Sequence, residues 1–270
     1  MKVRKCYLGG KQKALTLSYD DGIIQDIQLT GIMRKYGLKG TFNLNSDLGS
    51  EDRWIYKAAT VRRIPSQRMA EVYDGQEIAV HSKTHPHLEA LPKRELYAQL
   101  YEDRKALEER FGCQVTGMAL PFGSWNNEVY QAIKTLGFRY NRTTVSTHDF
   151  QVPEDFLLWP ATCHHADPEL FSLTEAFLET ADELALFYLW GHSYEFEGCR
   201  SWDVIEAFAG RISGQENVWY ASNGEICAYL EDMKRLVAGE NFLLNPTGRV
   251  LWVELDGESR ALLPGEWVNL

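Results

Sequence analysis

The stretch Ala14-Leu15-Thr16-Leu17-Ser18-Tyr19-Asp20-Asp21-Gly22 joins a short apolar run to two adjacent carboxylates and a glycine. An apolar run that ends in turn-forming residues predicts a buried β-strand stopping at the aspartates. A helix-like segment follows from about residue 26 to residue 36, and Gly40–Leu44 predicts a second strand. A strand, a helix and a strand in succession indicate a parallel βαβ unit.

The same alternation continues along the chain. The further predicted elements are strand Glu77–Val80, helix 96–111, strand Val115–Leu120, helix 129–136, strand Phe138–Thr143, a short strand near Phe156–Trp159, strand Leu184–Trp190, and helix Ile226–Leu236, which a Ser222/Glu225 capping box precedes. About seven strands alternating with helices predict an α/β fold, a distorted (β/α) barrel that need not be complete.

The pattern changes after Glu240. Val250–Leu255, an Asp256-Gly257 turn and Arg260–Leu263 predict a β-hairpin. The sequence therefore predicts a barrel over residues 1–240 and a small C-terminal β appendage over residues 241–270.

Composition excludes several classes of protein. Of the 270 residues, 44% are hydrophobic, which is enough for a core and rules out a disordered chain. Lys and Arg number 28 against 38 Asp and Glu, so the net charge is −10, and no stretch is strongly basic. Nucleic acid and anionic membranes are therefore poor partners, because both are bound through Lys and Arg.

The sequence also carries expectations about cellular location. No apolar run approaches the roughly 20 residues that span a bilayer, and no apolar core follows the charged start. The five cysteines are scattered, without a Cys-x-x-Cys pair, which favours reduced thiols. We expect a cytoplasmic protein without a membrane partner, and a homo-oligomer is compatible with the sequence.

Reactive side chains follow the predicted strands. The carboxyl ends of parallel barrel strands share one face, where function collects. The residues at these ends are Asp20, Asp21, His81, His85, Pro121, Phe122 and His192. Each signal alone has an ordinary alternative: Asp-Asp-Gly is a common turn, and a lone histidine after a strand is usually a core residue. Two histidines with one carboxylate leave a fourth position open, as catalytic zinc sites do, and free the other aspartate to act as a base.

Four motifs, in this order, resemble those of the polysaccharide deacetylases, carbohydrate esterase family four. Ser18-Tyr19-Asp20-Asp21-Gly22 is similar to the first motif, Thr-Phe-Asp-Asp-Gly, and His81-Ser82-Lys83-Thr84-His85 matches the second, His-Ser/Thr-x-x-His. Ala119-Leu120-Pro121-Phe122-Gly123 resembles the third, normally Arg-x-Pro-Tyr, and Leu189-Trp190-Gly191-His192 resembles the last. The similarity covers roughly residues 12–240.

The resemblance implies a distorted barrel, one divalent metal ion, most often zinc, and hydrolysis of acetyl groups from N- or O-acetylated sugars. Carried over by motif, the metal ligands are Asp21, His81 and His85. Asp20 is then the general base and His192 the acid that protonates the leaving amine. The oxyanion is expected to lie at the metal and at the backbone N–H of Phe122, next to Pro121.

The third motif departs from the family at Ala119, where the family has an arginine that holds the catalytic aspartate. Neighbouring parallel strands lie about 4.8 Å apart, and an arginine side chain reaches farther than that. The next predicted strand, Phe138–Thr143, contains Arg142 near its end. We hypothesise that Arg142 performs the role lost at Ala119 and holds Asp20.

The fourth motif of the family, an aspartate and a tryptophan that support the acid histidine, is not clearly present. Asp149 and Asp155, with Trp159, are its candidates. The adjacent pair His164-His165 suggests a second metal site, but adjacent histidines rarely bind one ion without a further partner, so we favour a structural role. His87 is expected at the surface.

Three functions remain open from the sequence. The leading hypothesis is a metal-dependent deacetylase acting on an acetylated sugar or a related small amide. A cyclic-amide or ureide hydrolase would use the same face of the fold. A carbohydrate-binding protein with little or no catalysis is the third, and the arginine missing at Ala119 is its main support.

Overall fold

A computed structural model describes residues 3–49 and 51–270, and nine parallel strands form the central sheet of that part of the chain. In chain order the strands of all sheets are β1 (Val3–Cys6), β2 (Lys13–Asp20), β3 (Gly40–Leu44), β4 (Arg53–Tyr56), β5 (Ala59–Arg62), β6 (Glu77–Val80), β7 (Gly117–Ala119), β8 (Tyr140–Ser146), β9 (Trp159–Ala161), β10 (Cys163–His164), β11 (Ala185–Gly191), β12 (Val218–Tyr220), β13 (Val237–Ala238), β14 (Phe242–Leu244), β15 (Leu251–Leu255), β16 (Glu258–Leu262) and β17 (Trp267–Asn269).

Helices connect most of the central strands. They are α1 (Asp26–Lys35), α2 (Ser66–Val72), α3 (Lys93–Phe111), α4 (Asn127–Thr135), α5 (Leu170–Glu179), α6 (Ser193–Cys199), α7 (Trp202–Ile212) and α8 (Asn223–Lys234), with short 3-10 turns at Leu8–Gly10, Leu88–Ala90, Pro121–Gly123 and Phe156–Leu158. None of the helices over the described residues combines the length and apolar character needed to cross a bilayer.

Strand β2 lies at the centre of the sheet. All eight of its residues are buried, and it pairs with β11 on one side and with β3 and β12 on the other. Alternate side chains of a strand point to opposite faces. Leu15 and Leu17 accordingly pack in the larger core beneath the helices, whereas Ala14 packs in a second core with α8.

The two edges of the sheet are neighbours in sequence. Along the sheet the order is β10-β11-β2-β3-β6-β7-β8-β9, so β9 and β10, separated only by Thr162, lie at opposite ends of it. Thr162 N–H donates to the carbonyl of Tyr188 in β11, and the carbonyl of Thr162 accepts from His148 N–H, just after β8. The sheet is therefore strongly curled, and the predicted α/β fold with a distorted barrel is confirmed. It has nine strands rather than about seven, because β10 and β12 are too short to give a pattern.

The C-terminal residues form two small antiparallel sheets. The predicted hairpin is present as β15 and β16, and β1 pairs with β15, a contact that the sequence did not predict. The other sheet contains β13, β14 and β17. Leu243, Val253, Leu262 and Val268 form a separate small core. The boundary at residue 240 stays a prediction.

A hairpin and a predicted strand also differ from the sequence prediction. The hairpin of β4 and β5 was missed because its alternating residues include many charged and half-exposed side chains. The strand predicted near Phe156–Trp159 is a 3-10 turn over Phe156–Leu158, and β9 begins only at Trp159. The Asp155 carboxylate accepts a hydrogen bond from Leu157 N–H, which favours the turn over an extended chain.

Candidate active site

The predicted site residues meet at the carboxyl end of the central sheet. Asp20 ends β2, His81 directly follows β6, and His192 directly follows β11. Asp20 Oδ2 lies 3.9 Å from His81 Nε2 and 3.7 Å from His192 Nε2. His85 Nε2 lies 3.9 Å from Asp21 Oδ1. Five residues from three strand ends are thus within one small volume.

Asp21, His81 and His85 form a candidate metal centre. Each offers a ligand atom within 4.8 Å of the other two, and the two Nε2 atoms lie 3.1 Å apart. His81 Nδ1 is 2.9 Å from the carbonyl of Ala119, which only accepts, so Nδ1 carries the proton and the Nε2 lone pair faces the centre.

The charge states at this centre suit a divalent cation. Burial lowers the pKa of His81, and burial together with the neighbouring His81 lowers the pKa of His85 to about 4. Burial alone would raise the pKa of Asp21, but the Arg63 guanidinium and the neighbouring histidines together outweigh it and lower that pKa to about 2. Near neutral pH the centre therefore presents two neutral imidazoles and one carboxylate, which are the forms that bind zinc.

Left-handed backbone conformations cluster around this centre. The φ angles are 84° at Asp21, 62° at Ser82, 57° at His85 and 57° at Phe122. Each such residue other than glycine costs about 1–2 kcal/mol, so the surroundings must hold these conformations. Around Ser82 the side-chain amide of Asn45 holds the backbone by donating to the carbonyls of His81, at 2.6 Å, and Ser82, at 2.7 Å.

Arg142 lies against Asp20, where the sequence hypothesis placed it. Arg142 is directly opposite Ala119 on the neighbouring strand, and its Nη2 donates to Asp20 Oδ2. The Arg142 side chain is 0% exposed and stacks on Trp190, with its guanidinium carbon 4.4 Å from the ring centroid. Asn43 Nδ2 donates to the other carboxylate oxygen of Asp20, at 2.8 Å. Burial opposes ionisation of Asp20, but Arg142 and the nearby histidines lower its pKa.

Arg63 is a second buried arginine, and sequence reasoning missed it. Its Nη1 donates to Asp21 Oδ1, at 3.0 Å, and to Asn45 Oδ1, also at 3.0 Å. It directly follows β5, so it could have been found only by predicting the β4–β5 hairpin. Asp20 and Asp21 are therefore each paired with their own arginine.

Glu195 is the other site residue that the sequence analysis missed. It lies in the first turn of α6, and its Oε1 is 3.4 Å from His192 Nδ1. Its spacing would have been a signal only if α6 had been predicted, because His192 is the residue before that helix and Glu195 lies in its first turn. Burial would lower the pKa of His192, but Glu195 and Asp20 raise it above its ordinary value.

The sequence candidates for the family's fourth motif lie elsewhere. Asp155 caps the 3-10 turn and accepts from the Tyr130 hydroxyl, and the Asp149 carboxylate accepts from Gln151 N–H in an exposed loop. Trp159 packs against Tyr140 and other core rings. These contacts do not involve His192, so the three residues stay candidates without support from the contacts described for them.

Phe122 forms one rim of the site. Its side chain is 55% exposed, its ring centroid is 4.5 Å from that of His85, and it stacks on His87 at 4.1 Å. Pro121 is buried beneath it. His87 is exposed, as expected, and it covers one face of the Phe122 ring.

The sequence model of the polysaccharide deacetylase family matches residues 8–141, about half of the chain, including the Asp-Asp pair, both histidines of the metal centre and Phe122. The protein belongs to the polysaccharide deacetylase family.

Individual relatives match about half of the chain. It is 26% identical over 141 residues to the peptidoglycan-N-acetylglucosamine deacetylase PgdA of Listeria monocytogenes, which is 52% of this chain and 27% of that protein. It is 25% identical over 147 residues to chitin deacetylase 2 of Cryptococcus neoformans, which is 51% of this chain and 31% of that one. The chain thus spans less than a third of these curated relatives.

Solved structures extend the similarity in fold to most of the chain. A Mycobacterium smegmatis protein described as a polysaccharide deacetylase superposes with a TM-score of 0.59 at 16% identity, covering 86% of this chain and 94% of its own. Peptidoglycan deacetylase PdaC of Bacillus subtilis gives a TM-score of 0.51 at 17% identity, covering 83% and 95%. At these identities the likeness supports the fold alone.

Proposed function

We propose that the protein is a metal-dependent hydrolase that removes acetyl groups from an N- or O-acetylated carbohydrate. The observation that carries this proposal is the division of the Asp-Asp pair. Asp21 offers a ligand atom together with the imidazoles of His81 and His85, whereas both carboxylate oxygens of Asp20 accept hydrogen bonds from Arg142 and Asn43. One carboxylate is therefore arranged to bind a cation and the other to accept a proton.

The donor set fits one divalent ion, zinc before others, held by Asp21, His81 and His85. Such an ion supplies a Lewis acid that polarises the acetyl carbonyl and lowers the pKa of a water molecule. The remaining steps depend on the side chains of the protein itself.

Asp20 takes the proton from the attacking water. Arg142 and Asn43 fix its two oxygens, and the lowered pKa keeps it ionised near neutral pH. The backbone N–H of Phe122 is the proposed donor to the oxyanion, a role that a phenylalanine fills as well as a tyrosine. His192, on the other side of Asp20, gives its proton to the departing nitrogen or oxygen.

The substrate class is supported by the relatives, whose names specify N-acetylglucosamine residues of peptidoglycan and chitin. The carbohydrate-binding alternative relied on the arginine missing at Ala119, and the Arg142 contact with Asp20 removes that support. A small-amide or ureide hydrolase remains the alternative, and only substrate preference separates it from the proposal.

Acetate release is the decisive measurement. We expect the metal-loaded protein to release acetate from N-acetylated oligosaccharides, to lose this activity on chelation and to regain it with zinc. Asp20→Asn and His192→Ala should bind metal normally and turn over at least about a hundredfold more slowly. Acetate release from small amides but not from sugars would favour the alternative, and no release from either by metal-loaded protein would overturn the proposal.

A further inference from the structure

Glu195 lies among three histidines. Its Oε2 is 2.8 Å from His165 Nε2 and 3.1 Å from His164 Nε2, and its Oε1 is 3.4 Å from His192 Nδ1. The Glu195 side chain is only 17% exposed. His164 ends β10 and His165 follows it. His192 follows β11, and Glu195 lies in the first turn of α6, so the ends of two strands and the start of a helix bring the four side chains together.

The proton position on His164 can be deduced from the contact of its other ring nitrogen, and the charge of His165 from its burial. Ala166 N–H donates to His164 Nδ1, at 3.1 Å, so Nδ1 has the lone pair and the neutral ring carries its proton on Nε2, facing Glu195. Burial lowers the pKa of His165 to about 4, so this ring is also neutral near pH 7. Its Nδ1 is buried against the backbone of Gly191, and Nε2 is the nitrogen that faces Glu195.

The same proton position argues against a second metal ion here. His164, His192 and Glu195 offer ligand atoms within 4.8 Å of one another. A metal on His164 Nε2 would need the proton on Nδ1, where the Ala166 N–H already points. His164 therefore turns a protonated Nε2 toward Glu195, and His165 turns its Nε2 toward the same carboxylate oxygen.

We propose that Glu195, held in place by His164 and His165, is the positioning residue of the acid His192. Two imidazole Nε2 atoms lie within 3.1 Å of Oε2, and the other carboxylate oxygen, Oε1, faces His192 Nδ1 at 3.4 Å. An acceptor there fixes the proton on Nδ1 and turns Nε2 toward Asp20 and the departing group. Tyr194 stacks on the imidazole at 5.2 Å and restricts its rotation. The inference rests on the proposed function for the role of His192 as acid.

Leaving-group dependence tests this role directly. A sugar amine must be protonated as it departs, whereas p-nitrophenolate departs without a proton. Glu195→Gln should therefore lower kcat on an N-acetylated oligosaccharide by about tenfold to a hundredfold and change kcat on p-nitrophenyl acetate by less than about threefold. Glu195→Asp, which restores the carboxylate, should recover part of the amide activity, and His164→Gln should show a smaller loss of the same kind. Asp149→Asn, in the exposed loop, is the matched carboxylate control and should behave as wild type on both substrates.

Equal losses on the amide and the ester would show a general disturbance of the site and overturn the proposal, as would an unchanged amide rate. A second measurement does not depend on activity. In the 15N spectrum of the imidazoles, wild-type His192 should carry a proton on Nδ1, and Glu195→Gln should lose that proton or its downfield position. If wild-type His192 is protonated on Nε2 alone, Glu195 is not its acceptor, even if the protein deacetylates sugars. If Nδ1–H is present but the protein is inactive, the positioning role of Glu195 stands and the proposed function is contradicted.

Discussion

Adjacent aspartates with the same ordinary pKa acquire different environments in this protein. Arg142 and Asn43 contact Asp20, whereas Arg63 contacts Asp21 and leaves it open toward His85. Neither aspartate could keep its charge at this depth without a cation, because burial alone raises a carboxyl pKa. The paired arginines therefore keep both carboxylates ionised while assigning them to separate roles.

Loss of a single imidazole should abolish metal binding. His81→Ala and His85→Ala each leave two ligands, too few for a stable site. Elemental analysis after dialysis should find about one zinc per chain in wild type and almost none in either variant. His87→Ala is the control, because this exposed histidine lies beside the centre without belonging to it. Full metal content in both His81 and His85 variants would contradict the assignment.

Arg142→Met should slow turnover by on the order of a hundredfold and move the acid limb of the pH profile upward. Without the guanidinium, burial raises the Asp20 pKa, so the carboxylate is protonated, and the base lost, at a higher pH than in wild type. Arg142→Lys keeps the charge and should shift the acid limb less. A profile unchanged in Arg142→Met would show that Asp20 is held by other groups.

Asp26 predicts a pH dependence of stability. It is fully buried, and burial raises its pKa to about 7 despite hydrogen bonds from Ser193 and Tyr73. Between about pH 4 and pH 7 the unfolded chain ionises this group while the folded chain keeps it protonated, so its contribution to stability is full at low pH and is lost as the pH rises. The Tm of wild type minus the Tm of Asp26→Asn should therefore decrease as the pH rises from about 4 to about 7. A difference in Tm that is constant from pH 4 to pH 7 would exclude a raised pKa.

Residue contacts were predictable where a strand register fixed them. Arg142 was found because neighbouring parallel strands place residues opposite each other, and Ala119 is opposite Arg142. Arg63 was not found, because it depends on a hairpin whose partly exposed residues give little periodic signal. Glu195 was not found either, because the strand ending at His192 was predicted but the helix directly after it was not.

At the scale of elements, helix boundaries followed from local chemistry. The capping box at the start of α8 is present: Ser222 Oγ accepts from Glu225 N–H, and the Glu225 carboxylate accepts from Ser222 N–H, at 2.9 Å. This exchange depends only on residues three apart, so the sequence sufficed. The shortest strands and the 3-10 turn before β9 depend on tertiary contacts, which no local pattern records.

Ser222→Ala should lower the free energy of unfolding by about 1 kcal/mol, the usual value of a side-chain cap. Urea unfolding followed by circular dichroism would measure it. Ser201→Ala is the matched control, because Ser201 stands at the same position before α7 but its side chain makes no capping hydrogen bond. Equal losses in the two variants would show that the capping bond of Ser222 contributes nothing specific.

At the scale of the whole molecule, the C-terminal residues can be separated from the metal centre. Deleting residues 241–270 should lower the Tm, because β1 loses its partner β15 and the small core around Val253 disappears. Metal content should stay at about one ion per chain, since Asp21, His81 and His85 lie at the other sheet. A truncated protein that is as stable as wild type but lacks metal would place the domain boundary elsewhere.

Residues 159–164 contribute the strands at both edges of the central sheet, so local unfolding of this segment affects both edges. Residues 159–164 link β8, which carries Arg142, to β11, which leads to His192, and the ladder between β8 and β9 is interrupted between Arg142 and Ser146. The amides of Thr162 and His165 donate to the carbonyls of Tyr188 and Trp190 in β11, so their hydrogen-exchange rates would report whether this edge of the sheet opens. One opening event there would release Arg142 from Asp20, and His164 and His165 from Glu195, at the same time. Heat should therefore abolish the proposed activity through this segment before the rest of the sheet unfolds.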